Sequence, residues 1–430
     1  MEPLIILGIL LGLLILRLPI YIGLFLTGVL GLVIYTDLDL VFVAQTMVKK
    51  LDNFSLLCIP FFLLMGSVMV AGRCAGLLVN FARRLVCFMP GGLAITSVVS
   101  SAMFGAISGS AISTVVTIGG VVFPFMEEQK YPKGFSVGLV TTAAILGMII
   151  PPSIIMIICA LTAGESVVRL FAAGYLPGVV IMAALSLYAY VVSLRGGFGL
   201  EARERFRWRN VGQAAWEAAI PLFLILLLFG GIYTGAFTIT EASVVSCLFA
   251  ILAEFLWFRS ISPRQLWGLV VTSGILSGAL VITIPGAGVL TEYITIRGIP
   301  EQILNHALTY IPNTFVFFLF VNIVLLIIGT FMDPIASVMI LVPILMPIVA
   351  KLGVDPIHFL LVVNVGLGIG YITPPLGLLL YAAAAITKES FIFVVRAITP
   401  TLIIYIIMLF VLSYVPIIST FVPDLLFGGR

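Results

Sequence analysis

Nearly every stretch of about 20 residues in this chain is apolar enough to span a bilayer. Inside a membrane the backbone has no water to bond with, so its N–H and C=O groups must pair within the protein. That leaves helices or closed barrels, and apolar runs of this length point to helices. Of the 430 residues, 62% are hydrophobic and 9% charged, where a soluble domain carries roughly a quarter. The mean hydropathy is +1.29. The chain reads as an all-α polytopic membrane protein, one integral domain over 1–430, with no linker long enough to hold a soluble one. A net charge of +3 is small and gives no reason to expect a nucleic-acid partner. Cys58, Cys74, Cys87, Cys159 and Cys247 lie in apolar sequence without CxxC spacing, and read as small buried hydrophobes rather than a disulfide framework. Glu2 and an apolar run from Leu4 follow Met1, with no basic leader or small-residue cleavage site. The first segment is therefore expected to be a membrane helix and not a removed signal peptide.

One window occurs twice without a gap. Residues 105–152 and 328–375 share an offset of 223 positions (370 − 147): Pro124 falls on Pro347, Gly147 on Gly370, Pro151-Pro152 on Pro374-Pro375, and Ser110 on Asp333. Paired helix-interrupting segments in two halves of a membrane protein point to a transporter's binding site.

In chain order, 4–34 is apolar but broken at Arg17-Leu18-Pro19, giving two short helices or one broken one. Residues 41–50 form an amphipathic stretch ending in Lys49-Lys50, and 54–71 is a span. Arg73, Arg83 and Arg84 surround a short helix. The first repeat core is 94–163, and 171–194 spans again. The long polar loop 195–210 holds Arg195, Arg203, Arg205, Arg207 and Arg209 against Glu201 and Glu204, and by the positive-inside rule it is cytoplasmic. Spans follow at 215–232, 242–258 and 266–293, then the second repeat core at 315–385 and a last span at 394–415.

Two prolines in a row inside a membrane helix remove donors and free carbonyl groups, which must then face protein, water or an ion. The breaks Ile150-Pro151-Pro152-Ser153 and Ile372-Thr373-Pro374-Pro375 are thus either proline kinks or ion sites, since unwound carbonyls coordinate sodium and half-helix N-termini attract anions. Gly105, Ser108, Gly109, Ser110 and Ser113 suit tight helix packing or the tip of a re-entrant hairpin. The partner tip is 329–334, with Asp333 deep in apolar sequence: an intramembrane carboxylate is a functional candidate, or caps a half-helix. Thr238 and Glu241 have capping-box spacing and mark a helix start or a ligand contact. Glu292 and Arg297 read as interfacial. His306 and His358 lie far apart, and no HExxH, Cys/His cluster or P-loop is present. The chain has no apparatus for ATP hydrolysis and does not read as an enzyme.

The segments GAISGSAISTVVTIG, GMIIPPSI, LFAAGYLPG, TGAFTITEA, MDPIA and ITPPLG occur here in one order. In that order and spacing, from about residue 54 to about 415, the chain resembles the large membrane (M) subunit of tripartite ATP-independent periplasmic (TRAP) transporters. The resemblance implies the ion-transporter superfamily fold: two inverted repeats, each with a re-entrant helical hairpin and a Pro-Pro-broken transmembrane helix, forming an elevator transport domain beside a scaffold. It implies sodium-coupled import of an organic acid, of the C4-dicarboxylate or sialic-acid type, across a bacterial or archaeal cytoplasmic membrane. It also implies two partners, a small four-helix membrane subunit and a soluble periplasmic binding protein. Carried onto this chain, Ser108, Gly109, Ser110, Gly147, Pro151 and Ser153 would form one sodium site, and Gly329, Met332, Asp333, Ile372, Thr373 and Pro374 the other. Ser110, Ser113, Asp333 and Thr373 would contact substrate. Ala143-Ala144 stand near the first break where small polar residues are expected, and Thr141 and Thr142 are the polar residues at hand. Other readings are a self-sufficient symporter of the same superfamily, an intramembrane enzyme pairing Asp333 with Glu241, and a channel.

Overall fold

The structure, a computed structural model, describes residues 2–16, 18–200, 206–303 and 313–428. His306, and residues 201–205 of the basic loop, lie outside the described residues. Among the described residues all regular structure is helical, as the backbone argument requires. Among the described residues eight helices are long and apolar enough to cross a membrane, or ten if two bent pairs each count as one span.

The punctuation in the sequence sets many of the boundaries. The interruption before Pro19 separates Glu2–Ile15 from Ile20–Tyr35. The span Phe54–Ala71 has Pro60 in the first turn of its helix Cys58–Ala71, where an N–H would have no helical partner anyway. The spacing of Thr238 and Glu241 produces a capping box that opens Ile239–Leu252. The span expected at 215–232 differs: a short amphipathic helix, Trp208–Glu217, meets Ala219–Tyr233 at 69°. Trp208 and Trp216 are exposed and Arg207 precedes the helix, the composition of an element lying along a membrane surface. A last helix, Ile417–Phe427, was not anticipated. It packs on Val167–Gly196, where Arg169 donates to the Gly428 carbonyl (2.6 Å).

The two repeats occupy the centre and are alike in detail. Hairpin one is Gly92–Ser108 and Ala111–Glu128; hairpin two is Thr314–Phe331 and Pro334–Lys351. The second arms begin and end 223 positions apart (334 − 111, 351 − 128), and so do the starts of the broken helices, Lys133 and Pro356. The remaining helices pack against this pair on part of its surface and are called the scaffold below. Within it Ile20–Tyr35 packs on Thr283–Ile296 so closely that a Cβ on Gly28 would lie 2.5 Å from the Leu290 nitrogen, the small-residue packing typical of membrane helices.

One buried carboxylate ties the scaffold together. Glu254 has no exposed surface and sits in the π-turn Ala253–Trp257. Its oxygens accept from the backbone N–H groups of Arg73 (3.0 Å) and Cys74 (2.8 Å), and from the Ser260 hydroxyl (2.5 Å). The two backbone donors open the helix Cys74–Val86, so Glu254 caps a helix 180 residues away in sequence. A Cβ on Gly72 would run into that carboxyl group.

Candidate functional site

Hairpin one turns at two residues. Ser108 ends the first arm, Gly109 takes φ +60°, and Ser110 is extended at the N-cap of the second arm. Its hydroxyl accepts from the Ser113 N–H (3.3 Å), and its carbonyl accepts from the Thr114 N–H (3.0 Å) and hydroxyl (2.8 Å). Thr114 also lies 3.3 Å from the Ser108 hydroxyl, so three hydroxyls hold the tip. Glycine is needed at 109 twice over: for the left-handed backbone, and because a Cβ would collide with the Pro152 carbonyl.

Hairpin two turns at the matched place. Met332 and Asp333 are extended, Pro334 is the first helical residue, and Asp333 is the N-cap. One carboxylate oxygen accepts from the Ile335 N–H (2.9 Å), the other from the Tyr371 hydroxyl (3.3 Å). Ser110 and Asp333, paired by the offset, thus do the same structural job with different charge.

The two broken helices lie behind the tips. The first runs Lys133–Ala143, continues through Leu146–Ile149, and resumes as Ile154–Ala163 after a bend of 41°. The second runs Pro356–Gly370 and resumes at Leu378. Both Pro-Pro bonds are cis. The carbonyls of Met148 and Tyr371 each lose their i+4 donor to the second proline of the pair. Asn364, on the other repeat's broken helix, donates to the Met148 carbonyl (2.9 Å); the Leu379 N–H donates to the Tyr371 carbonyl (3.1 Å). Two oxygens near the first break stay without a partner although buried: the Ser153 hydroxyl and the Asn364 side-chain carbonyl.

Glycines bring each tip onto its break. A Cβ on Gly147 would sit 2.5 Å from the Thr114 hydroxyl and 3.1 Å from the Ser110 carbonyl. In the second repeat, Gly370 packs against the Gly329 backbone. Ser108, Gly109, Ser110, Gly147 and Ser153 therefore come together, with the Pro152 carbonyl facing the tip while the Pro151 ring faces Gly174. Gly329 and Asp333 meet the second break through Gly370 and Tyr371, and Met332 is the extended residue before Asp333 at the tip. Ile372 is buried, and the Thr373 hydroxyl turns back to the Ile369 carbonyl (2.8 Å). The Thr141 and Thr142 hydroxyls likewise donate to their own helix, at Val137 (2.6 Å) and Gly138 (2.9 Å).

A cavity of about 250 Å³ lies between the two tips. Gly109, Ser110 and Ser113 line it from one side, Asp333, Pro334 and Ile335 from the other. The matched residues Met148 and Tyr371 contribute from the broken helices, and Leu63, Leu276 and Leu280 form the scaffold wall. Two helices begin at this cavity: the first-turn N–H groups of Ala111–Glu128 favour an anion, while the start of Pro334–Lys351 lacks one N–H at Pro334 and gives another to Asp333. Three of the four residues expected at substrate line the cavity; Thr373 does not, and Tyr371 takes its place. Glu241 is held by the Thr238 backbone and hydroxyl (both 2.8 Å) at a helix start and is absent from the lining, so it forms no pair with Asp333. His358 is buried and bonded to Ser419 (2.7 Å) and the Ser413 carbonyl (3.2 Å), a structural role. Sequence reasoning passed over Tyr371 and Asn364. A polar side chain within the apolar run 359–370 was the available signal for Asn364; for Tyr371 it was only adjacency to the break.

Comparison with known proteins gives concordant results. Residues 7–418 match the family described as "Tripartite ATP-independent periplasmic transporter, DctM component". The chain is 34% identical to the C4-dicarboxylate TRAP transporter large permease protein DctM of Rhodobacter capsulatus, covering 99% of this chain and 100% of that one. It is 34% identical to the isethionate TRAP transporter permease protein DctMQ of Oleidesulfovibrio alaskensis, over 94% of this chain and 63% of that one. Among solved structures, the YdaH transporter of Alcanivorax borkumensis superposes with a TM-score of 0.64 at 13% identity, over 90% of each chain, a likeness of fold.

Proposed function

The chain belongs to the DctM component family of tripartite ATP-independent periplasmic transporters, and from that premise we propose that it imports an organic acid by sodium-coupled symport. It is a multi-pass membrane protein and a permease, not an enzyme. Its proposed location is the cytoplasmic membrane of a bacterial or archaeal cell. The cargo is an acid of the C4-dicarboxylate or sialic-acid type, in keeping with the acids named for its relatives. A soluble periplasmic protein delivers that acid, and a small membrane subunit completes the complex. The isethionate relative named DctMQ is longer than this chain, which fits a second membrane component carried on one polypeptide.

The observation that carries the reading is the cavity between the hairpin tips, where two helix N-termini, Ser110, Ser113 and Asp333 converge. The acid's carboxylate is assigned to the N-terminus of Ala111–Glu128, beside Ser110 and Ser113. Sodium ions, as co-transported cargo, are placed where each tip meets its break. The unpartnered oxygens of Ser153 and Asn364 suit a cation at the first, and the Asp333 carboxylate supplies negative charge at the second. Both repeats bear on the cavity while Leu63, Leu276 and Leu280 face it from the scaffold. That division favours an elevator motion, with the repeat pair carrying cargo past the scaffold.

The test is uptake into proteoliposomes holding this chain and its small subunit, with and without a candidate binding protein, under an inward sodium gradient. Uptake that needs both the gradient and the binding protein is expected. Uptake without the binding protein would favour a self-sufficient symporter, and uptake in potassium alone would overturn the assignment of the breaks as sodium sites.

A further inference from the structure

The cavity between the hairpin tips has a charge pattern that narrows its cargo. Among the described residues that line it there is one carboxylate, Asp333, and no lysine, arginine or histidine. Its hydroxyls come from Ser110, Ser113 and Tyr371, and the rest of the wall is mostly apolar. We propose that this cavity takes an acid with a single carboxylate and an uncharged body in preference to a dicarboxylate of the same length. The proposal rests on reading the cavity as an organic-acid site.

The two ends of the cavity differ. At the first tip a carboxylate meets the N-terminus of Ala111–Glu128 and the hydroxyls of Ser110 and Ser113, with no negative side chain from that repeat. At the second tip both Asp333 oxygens already act as acceptors, from the Ile335 N–H (2.9 Å) and the Tyr371 hydroxyl (3.3 Å). A second carboxylate reaching that end would face Asp333 with no cationic side chain between them. Like charges repel more strongly among apolar walls than in water, because the effective dielectric is lower. With one sodium at each break, as proposed above, two cations and Asp333 leave a single positive charge, which one carboxylate neutralises. The aliphatic wall of Leu276, Leu280 and Ile155 suits an uncharged body.

Three four-carbon acids separate the possibilities: butyrate, succinate and γ-aminobutyrate. The purified complex of this chain with its small subunit, in saturating sodium, is titrated with each, and the concentration giving half the maximal rise in Tm is read. Butyrate is expected to act at a concentration about tenfold lower than succinate. Ser113→Lys, which adds a cation to the cavity, is expected to reverse that order, and Asp333→Asn to bring the two acids together. The Tm before titration reports whether each variant is folded. Succinate acting at or below the butyrate concentration in the unsubstituted complex would overturn the proposal while leaving the organic-acid site standing. γ-Aminobutyrate acting at the lowest concentration would overturn it in favour of a zwitterion. No stabilisation of the folded complex by any of the three would overturn both this proposal and the reading it rests on.

Discussion

The two repeat cores share a frame and differ in what they hang on it. In each, the second hairpin arm starts at the residue after a capping side chain, and a glycine on the broken helix, Gly147 or Gly370, lets tip and break touch. The matched positions then diverge: Ser110 against Asp333, Met148 against Tyr371, Gly109 against Met332, and Ser153 against Leu376. Repeat one keeps its tip with neutral hydroxyls and leaves a buried oxygen free at the break. Repeat two puts a carboxylate at its tip and steadies it with a phenol. Their surroundings differ too. Gly92–Ser108 is buried along nearly its whole length, whereas Phe315, Ile323, Ile327 and Phe331 of the corresponding arm are exposed. A stripe at that spacing meets lipid or a partner. The two repeats thus share the packing that makes a tip-and-break unit and differ in charge and exposure.

That contrast can be broken by substitution. The largest effect is expected for Asp333→Ala and Ser110→Ala, each of which should abolish sodium-dependent uptake while the complex still assembles with its small subunit. Full uptake by both would take these residues out of the mechanism. Next come the glycines. Gly370→Ala drives a Cβ into the Gly329 backbone, whereas Gly147→Ala first meets the Thr114 hydroxyl. Overpacking costs about 1–3 kcal/mol, and thermal unfolding should place Gly370→Ala at the lower Tm of the two. Asn364→Ala strips the Met148 carbonyl of its donor. A buried acceptor without a partner costs about 1–3 kcal/mol, and the loss should fall on the first repeat, read as faster amide exchange at its break. Smallest is Thr238→Ala in the scaffold, where losing an N-cap costs about 1 kcal/mol. It should lower Tm slightly and leave the sodium dependence of uptake unchanged.

Much of the frame was legible because it is local. Two adjacent prolines interrupt a helix wherever they stand, so the breaks at 150–153 and 372–375 could be placed without any fold. The gap-free offset paired Ser110 with Asp333, a half-helix cap was one of two readings of Asp333, and the cap at Thr238 followed from three-residue spacing. What escaped depends on contacts between distant segments. Thr373 stands among the substrate contacts that the resemblance implies, but its hydroxyl turns back to Ile369, and Tyr371, two residues earlier, lines the cavity. Asn364 reaches a carbonyl 216 positions away. Glu254 lies unmarked within the apolar stretch 242–258, yet it has no exposed surface and caps a helix 180 residues away in sequence. In membrane sequence almost every position is apolar, so hydropathy alone does not tell a lipid-facing residue from a buried one.

The cap made by Glu254 has a consequence for how such chains can be recombined. The carboxylate fits only because residue 72 lacks a side chain, and the amides it satisfies belong to the segment that follows Gly72. Gly72 and Glu254 are therefore inherited usefully only as a pair. A chimera that takes the segment around residues 54–86 from one parent and the segment around 239–260 from another would bring a bulky side chain to the carboxyl, or leave two amides without an acceptor, unless both parents carry the same solution. Viable crossovers between relatives should cluster where both positions come from a single parent.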